Sequence, residues 1–360
     1  MTRRVGPPVI RIALWVAATV LLALALRGLD LPAIGRTLGR LGPLQITILL
    51  AVNCGVVAAL AGRWWAILAA DGFRLPYLAA TLYRLVGFGI TYFTPGTQFG
   101  GEPLQVYLVH RRHAVPQATA VAAIALDRAL ELIANFGFLA LGLSVVIRQG
   151  IYPQGTAALL ALAAVALAAI PAAYLVGAWT GHSPGSWVLR RISGSEPPVG
   201  WRMHLRALVA ETESEVSRMA RTRPAGLIAG LGFSLLSWAL LLAEWWLVLA
   251  YLGVPLDAAS LLAVVTATRL ALFVPIPGAL GALEASLVLA LSALGFTGEQ
   301  ALGVALVVRV RDLAFAGAGL WLGGALAGRP TLRTPTDGVD PSANHRSRDQ
   351  GLPPRSTDAP

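Results

Sequence analysis

The chain of 360 residues is 56% hydrophobic and only 13% charged, with a mean hydropathy of +0.68. That balance excludes a soluble globular domain and points to a polytopic membrane protein. The net charge of +10 rests entirely on arginine, lysine being absent, and the arginines flank apolar runs instead of forming a patch interleaved with aromatics. Anionic lipid headgroups of the bilayer are therefore the expected partners, and nucleic acid is not.

A helix needs about 20 apolar residues to cross roughly 30 Å of hydrocarbon. The first such stretch, 9–26, follows Arg3, Arg4 and Arg11; no small-residue cleavage site precedes Arg27, so it reads as an uncleaved span and not a signal peptide. A second stretch covers 44–66 and holds Cys54, the one cysteine, which permits no internal disulfide. Region 78–109 is too long for one span and is broken by "PGTQFGGE", Pro95 to Glu102. Stretches 118–147 and 156–179 follow, the former containing "ALDRALELIAN". In the loop 180–224, Trp201, Leu205, Leu208, Val209, Val216 and Met219 recur at helical spacing, which predicts an amphipathic connector lying on the membrane surface. Stretch 225–252 carries Glu244 beside Trp245 and Trp246, with no cation near it in sequence. Region 258–295 is broken by "PGALGALE", Pro277 to Glu284, and the last stretch, 300–326, contains "VVRVRD". Residues 327–360 are polar and proline-rich, and the composition predicts disorder.

The two broken regions correspond. Each reads Pro-Gly, five residues, Glu; Glu102 stands 26 residues before Arg128, and Glu284 stands 25 before Arg309. Hairpins that enter the membrane and return explain the length and the interruption, since non-helical backbone at that depth is tolerated only inside protein or beside a water-filled cavity. The predicted fold is thus an all-α integral membrane protein with six full spans and two re-entrant broken-helix hairpins in residues 1–326. With the N-terminus cytoplasmic, 20 arginines fall at the inner face, four (Arg27, Arg36, Arg40, Arg148) outside and four (Arg128, Arg269, Arg309, Arg311) within membrane segments. This bias places both termini in the cytoplasm and makes the two hairpin units inverted repeats, as in transporters that alternate access to a site near the midplane.

Intramembrane charges mark the candidate site, because each costs roughly 2.5 to 3.5 kcal/mol at a helix centre. Asp127, Glu131 and Asn135 share one helix face, and Arg128 is placed to pair with Glu131; Arg309 and Asp312 have the same i, i+3 relation, with Arg311 on another face. The broken helices are expected to restart near Gly100 and Gly281 with unpaired N–H groups, a setting that favours an anion. Gly100, Gly101, Glu102 and Arg128, with Gly278, Gly281, Glu284 and Arg309, are therefore the candidate substrate-binding residues. Glu102 and Glu284 are read as partners that hold the arginines in the absence of substrate, or as protonatable groups. Arg84, Asp127, Glu131, Arg269, Arg311 and Asp312 are candidate supporting residues, Arg84 also having the option of snorkelling to the interface. The five histidines show no H-E-x-x-H spacing. No metal, cofactor or catalytic residue is expected.

"TPGTQFGGEPLQVYLV", "ALDRALEL", "VPIPGALGALEASLVLALSALG" and the closing "VVRVRD" resemble, over residues 9–326, the lysylphosphatidylglycerol synthase transmembrane region family of flippase-like proteins. In fused members a soluble aminoacyl-transferring domain follows and makes the lipid that the membrane part translocates; here residues 327–360 stand in that place. The resemblance implies translocation of an anionic phospholipid or polyprenyl-phosphate-linked lipid across the cell membrane, with a separate lipid-modifying enzyme as a partner. The competing readings are a membrane-embedded glycosyltransferase acting on a polyprenyl-phosphate and a small-solute transporter or accessory subunit.

Overall fold

The computed structural model describes residues 39–94, 100–149, 154–181, 186, 191, 201–273, 279 and 281–327. The predicted first span 9–26, the tail 328–360 and Gly278 lie outside the described residues. The described chain is helical, without strands: α1 Pro43–Ala70, α2 Tyr77–Phe93, α3 Glu102–His113, α4 Gln117–Gln149, α5 Gln154–Thr180, α6 Trp201–Thr222, α7 Pro224–Tyr251, α8 Ala258–Ala271, α9 Ala282–Ala293 and α10 Gly298–Ala327. Five of the predicted spans coincide with one helix each. Of these, α1, α4, α5 and α7 are long and apolar enough to cross a membrane, while α10 carries Arg309, Arg311 and Asp312 in its middle.

Local chemistry sets the boundaries. Proline occupies the first turn of α1 and α7, where a missing N–H costs nothing. The Asp257 carboxylate accepts from Ser260 N–H at 3.1 Å and starts α8. The two Pro-Gly interruptions divide α2 from α3 and α8 from α9, so each broken region becomes a pair of short helices.

Along the bundle, α1 packs on α7, α4 on α5 and α2 on α10. The α2–α10 crossing is close because a Cβ at Gly319 would lie 2.1 Å from Leu85 O, so only glycine fits there. Two of the apolar clusters are large. One joins Trp64, Leu68, Ala80, Leu108 and Val109 to Val216 and Met219 of α6. The other joins Leu41, Leu49, Leu249, Val254, Leu261 and Leu291 to Val304. The open end of the α2–α3 pair therefore lies with α6, whereas that of the α8–α9 pair lies at the opposite end of the bundle. End contacts agree: Arg218 of α6 bridges to Asp71 at the end of α1, and Arg40 bridges to Glu299 at the start of α10.

The helix α6 is amphipathic as expected, but its apolar residues do not face lipid along their whole length. Val216, Met219 and Ala220 are buried under α4 and α5.

Candidate functional site

Helix α4 carries Asp127, Arg128 and Glu131 into the interior, and arginines from two other helices meet them. Arg63 of α1 donates from Nε to Asp127 Oδ1 at 2.5 Å and from Nη2 to Glu131 Oε2 at 2.6 Å. Arg84 of α2 donates to Asp127 Oδ2 and Glu131 Oε2, each at 2.9 Å. Arg128 reaches Glu131 Oε2 at 2.9 Å and Glu102 Oε1, at the start of α3, at 2.5 Å. Three arginines thus face three carboxylates in one connected set tying α1, α2, α3 and α4 together. Arg84 is 8% exposed and does not snorkel outward.

The second set is built on α10. Arg309, 2% exposed, donates to Glu284 Oε1 of α9 at 2.6 Å and 3.1 Å and to the Tyr92 hydroxyl of α2 at 3.1 Å. The i, i+3 spacing of Arg309 and Asp312 is not used for an ion pair. Asp312 accepts instead from Arg311, at 2.8 Å and 3.0 Å, and Arg311 also bonds Glu244 of α7. Geometry explains the switch: the Arg309 side chain is directed to α9 and α2, where Glu284 and Tyr92 are among its acceptors.

The two helix restarts share a local design. Gly100 N–H donates to Glu102 Oε2 and Gly281 N–H to Glu284 Oε2, each at 2.8 Å, and Gly101 N–H donates to Thr91 Oγ1 at 3.0 Å. These N–H groups, expected to be unpaired, have side-chain acceptors. In each unit one glutamate caps its own helix start with one oxygen and binds the arginine of the following charged helix with the other. The glycines differ in what demands them. A Cβ at Gly101 would lie 2.1 Å from Gly87 O, so close backbone approach requires glycine; Gly281 has open space around it but a φ of 80°.

Both sets border one cavity of about 430 Å³. Among the described residues its wall holds five arginines (Arg63, Arg84, Arg128, Arg269, Arg311) against three carboxylates (Glu131, Glu244, Asp312). The rest is mostly apolar, with Phe88, Phe136, Phe273 and Phe315 among the lining residues. The lining residues on the long helices, Asn53 to Arg63 of α1, Arg128 to Phe136 of α4 and Ser237 to Trp245 of α7, fall in the middle of each helix. Asp127, Glu102, Glu284 and Arg309 sit behind the wall. Arg269 lies over the Trp238 ring, 4.9 Å from its centroid.

Two contributors escaped the sequence reading. Arg63 was counted among the inner-face arginines because it stands at the end of an apolar run next to Trp64 and Trp65; its position inside stretch 44–66 was the available signal. Tyr92 gave none, since its contact with Arg309 joins residues 217 positions apart.

The family model described as Lysylphosphatidylglycerol synthase TM region matches residues 9–318 of the chain. No curated protein matches it.

Proposed function

The chain belongs to the lysylphosphatidylglycerol synthase transmembrane region family, and from that premise we propose that it translocates an amphiphile with an anionic headgroup across the cell membrane. The cargo class is an anionic phospholipid or a polyprenyl-phosphate-linked lipid. In this reading residues 1–326 form the translocating domain, with six spans and the α2–α3 and α8–α9 pairs as re-entrant hairpins of an inverted repeat. Both termini, the loop 180–224 and the tail 327–360 lie in the cytoplasm. Moving Arg63 and Arg84 from the inner face into the buried network leaves eighteen inner arginines against four outer ones, an excess that still favours a cytoplasmic N-terminus.

The observation that carries the proposal is the cavity: it lies at mid-height of three long helices, borders both charged sets and combines ionic groups with an aromatic wall. A headgroup needs the former and the start of a hydrocarbon chain the latter, whereas a small polar solute would leave the aromatic wall unused. At about 430 Å³ it falls in the usual ~300–1,000 Å³ range of ligand sites and has the size of a headgroup, not of a whole lipid. The Glu102–Arg128 and Glu284–Arg309 pairs hold the restarting half-helices against the charged helices in the resting state. Release of either pair frees a hairpin to move, with Gly100, Gly101 and Gly281 allowing the backbone its close or positive-φ course.

The test is translocation in proteoliposomes, read as the fraction of a fluorescent lipid protected from an impermeant quencher. Anionic phospholipids or a polyprenyl phosphate should equilibrate faster with protein than without. A wild-type protein that is folded and moves none of them would overturn the proposal. The topology has its own check, single-cysteine labelling on a Cys54→Ser background, in which extracellular labelling of positions 180–224 contradicts the orientation.

A further inference from the structure

We infer that Arg269, stacked over Trp238, is the standing anion anchor of the central cavity, taking the phosphate of a phosphate ester before any internal ion pair opens. The lipid source of that phosphate rests on the translocation reading; the anchor itself does not.

The cavity's arginines are not equivalent. Arg63, Arg84, Arg128 and Arg311 each have a carboxylate oxygen within 4.0 Å. Arg269 has no such carboxylate among the described residues and no hydrogen bond there; its contact is the face of Trp238. Glu131 and Asp312 of the cavity wall already accept from other arginines. Glu244, the remaining carboxylate of the wall, is taken by Arg311. An anion reaching Arg128 or Arg309 must first displace Glu102 or Glu284 and leave a carboxylate without its partner in the interior. An anion reaching Arg269 displaces nothing.

The platform under Arg269 is fixed, because Trp238 is itself stacked on Phe138 with centroids 3.9 Å apart and planes 17° from parallel. A guanidinium held on a ring keeps its N–H fork for a planar or tetrahedral oxyanion, and phosphate accepts two such bonds at once. A second group on the cavity wall lacks a partner: Gln105 is 2% exposed, and its Oε1 has no hydrogen-bond donor. It is an acceptor for a hydroxyl or amine on the remainder of the ligand. Phosphate ester with an attached hydroxyl- or amine-bearing group is therefore the chemistry that fits. It can come from a lipid headgroup or from a free soluble phosphate ester.

The experiment is ligand-induced thermal stabilisation of the purified full chain in an uncharged detergent, with dihexanoyl phosphatidylglycerol, glycerol 1-phosphate and inorganic phosphate as separate probes. Wild type should be stabilised in a saturable way by the short-chain lipid. Arg269→Gln should keep the ligand-free melting temperature and lose about ten- to a hundredfold in affinity, as for a charge-assisted contact. Arg128→Gln should show a lowered ligand-free melting temperature, which Arg269→Gln does not. Should Arg269→Gln fail to fold, Arg269→Lys keeps the charge and removes the fork, and its affinity is expected to fall. Wild-type affinity in whichever of the two folds overturns the inference, as does the absence of stabilisation of wild type by all three probes. Arg269-dependent binding of glycerol 1-phosphate without binding of the lipid upholds the anchor and contradicts the translocation reading.

Discussion

The two charged sets start from the same sequence template and are closed differently. Around α4 each of the six charged side chains is ion-paired, and a single oxygen, Glu131 Oε2, takes bonds from Arg63, Arg84 and Arg128. Around α10 the two arginines Arg309 and Arg311 share three carboxylates, while Arg269 of α8 stands apart from both sets on an indole face. A closed network resists exchange with a ligand, because any replacement strands a buried charge. An open one leaves a cation available. On the proposed reading, the first set holds helices together and Arg269 meets the cargo.

Asp127→Ala should give the largest stability loss, because it leaves Arg63 and Arg84 only Glu131 Oε2, an oxygen that Arg128 also uses; about 3 to 5 kcal/mol is expected, read as a lower melting temperature and yield in detergent. Asp312→Ala should cost clearly less, since Arg311 keeps Glu244. Equal losses would erase the distinction between the sets. Gly101→Ala comes next, at about 1 to 3 kcal/mol, because the added methyl meets backbone and not a movable side chain. Its counterpart Gly281→Ala meets open space and bears only the left-handed backbone penalty of about 1 to 2 kcal/mol.

The smallest effect belongs to the surface bridge of α6. Arg218→Ala removes contacts to Asp71 and Glu215 that are partly exposed, and about 1 kcal/mol or less is expected. Hydrogen bonding from the Arg218 guanidinium holds the Glu215 carboxyl below its ordinary 4.5. A depressed folded-state value means that this stabilisation is complete above pH 4.5 and is lost as pH falls through the lower folded-state value. Thermal melts of wild type and Arg218→Ala should converge on acidification.

Much of this was legible in the sequence because it is local or repeated. Periodicity and Pro-Gly breaks placed ten helix boundaries' worth of information in plain view: α3 and α9 restart within two residues of Gly100 and Gly281. The matched intervals from Glu102 to Arg128 and from Glu284 to Arg309 also turned out to be ion pairs. What escaped is what depends on side-chain direction and distant elements. Glu244 has no cation near it in sequence, and its partner Arg311 lies 67 residues away. The Arg309–Asp312 spacing suggested a local pair, yet acceptors on α9 and α2 lie where the Arg309 side chain points. The unpaired N–H groups expected at the restarts were satisfied by the flanking Glu102, Glu284 and Thr91 side chains, which sequence spacing alone does not orient.

The division between the two sets is tested most directly by measuring lipid translocation and melting temperature side by side for Arg63→Gln and Arg269→Gln. The account predicts that Arg63→Gln lowers the melting temperature, with translocation falling only in proportion to folded protein. Arg269→Gln is predicted to melt as wild type and to lose translocation of the anionic lipid. An Arg269→Gln protein that transports normally, beside an Arg63→Gln protein that is stable and inactive, would contradict it.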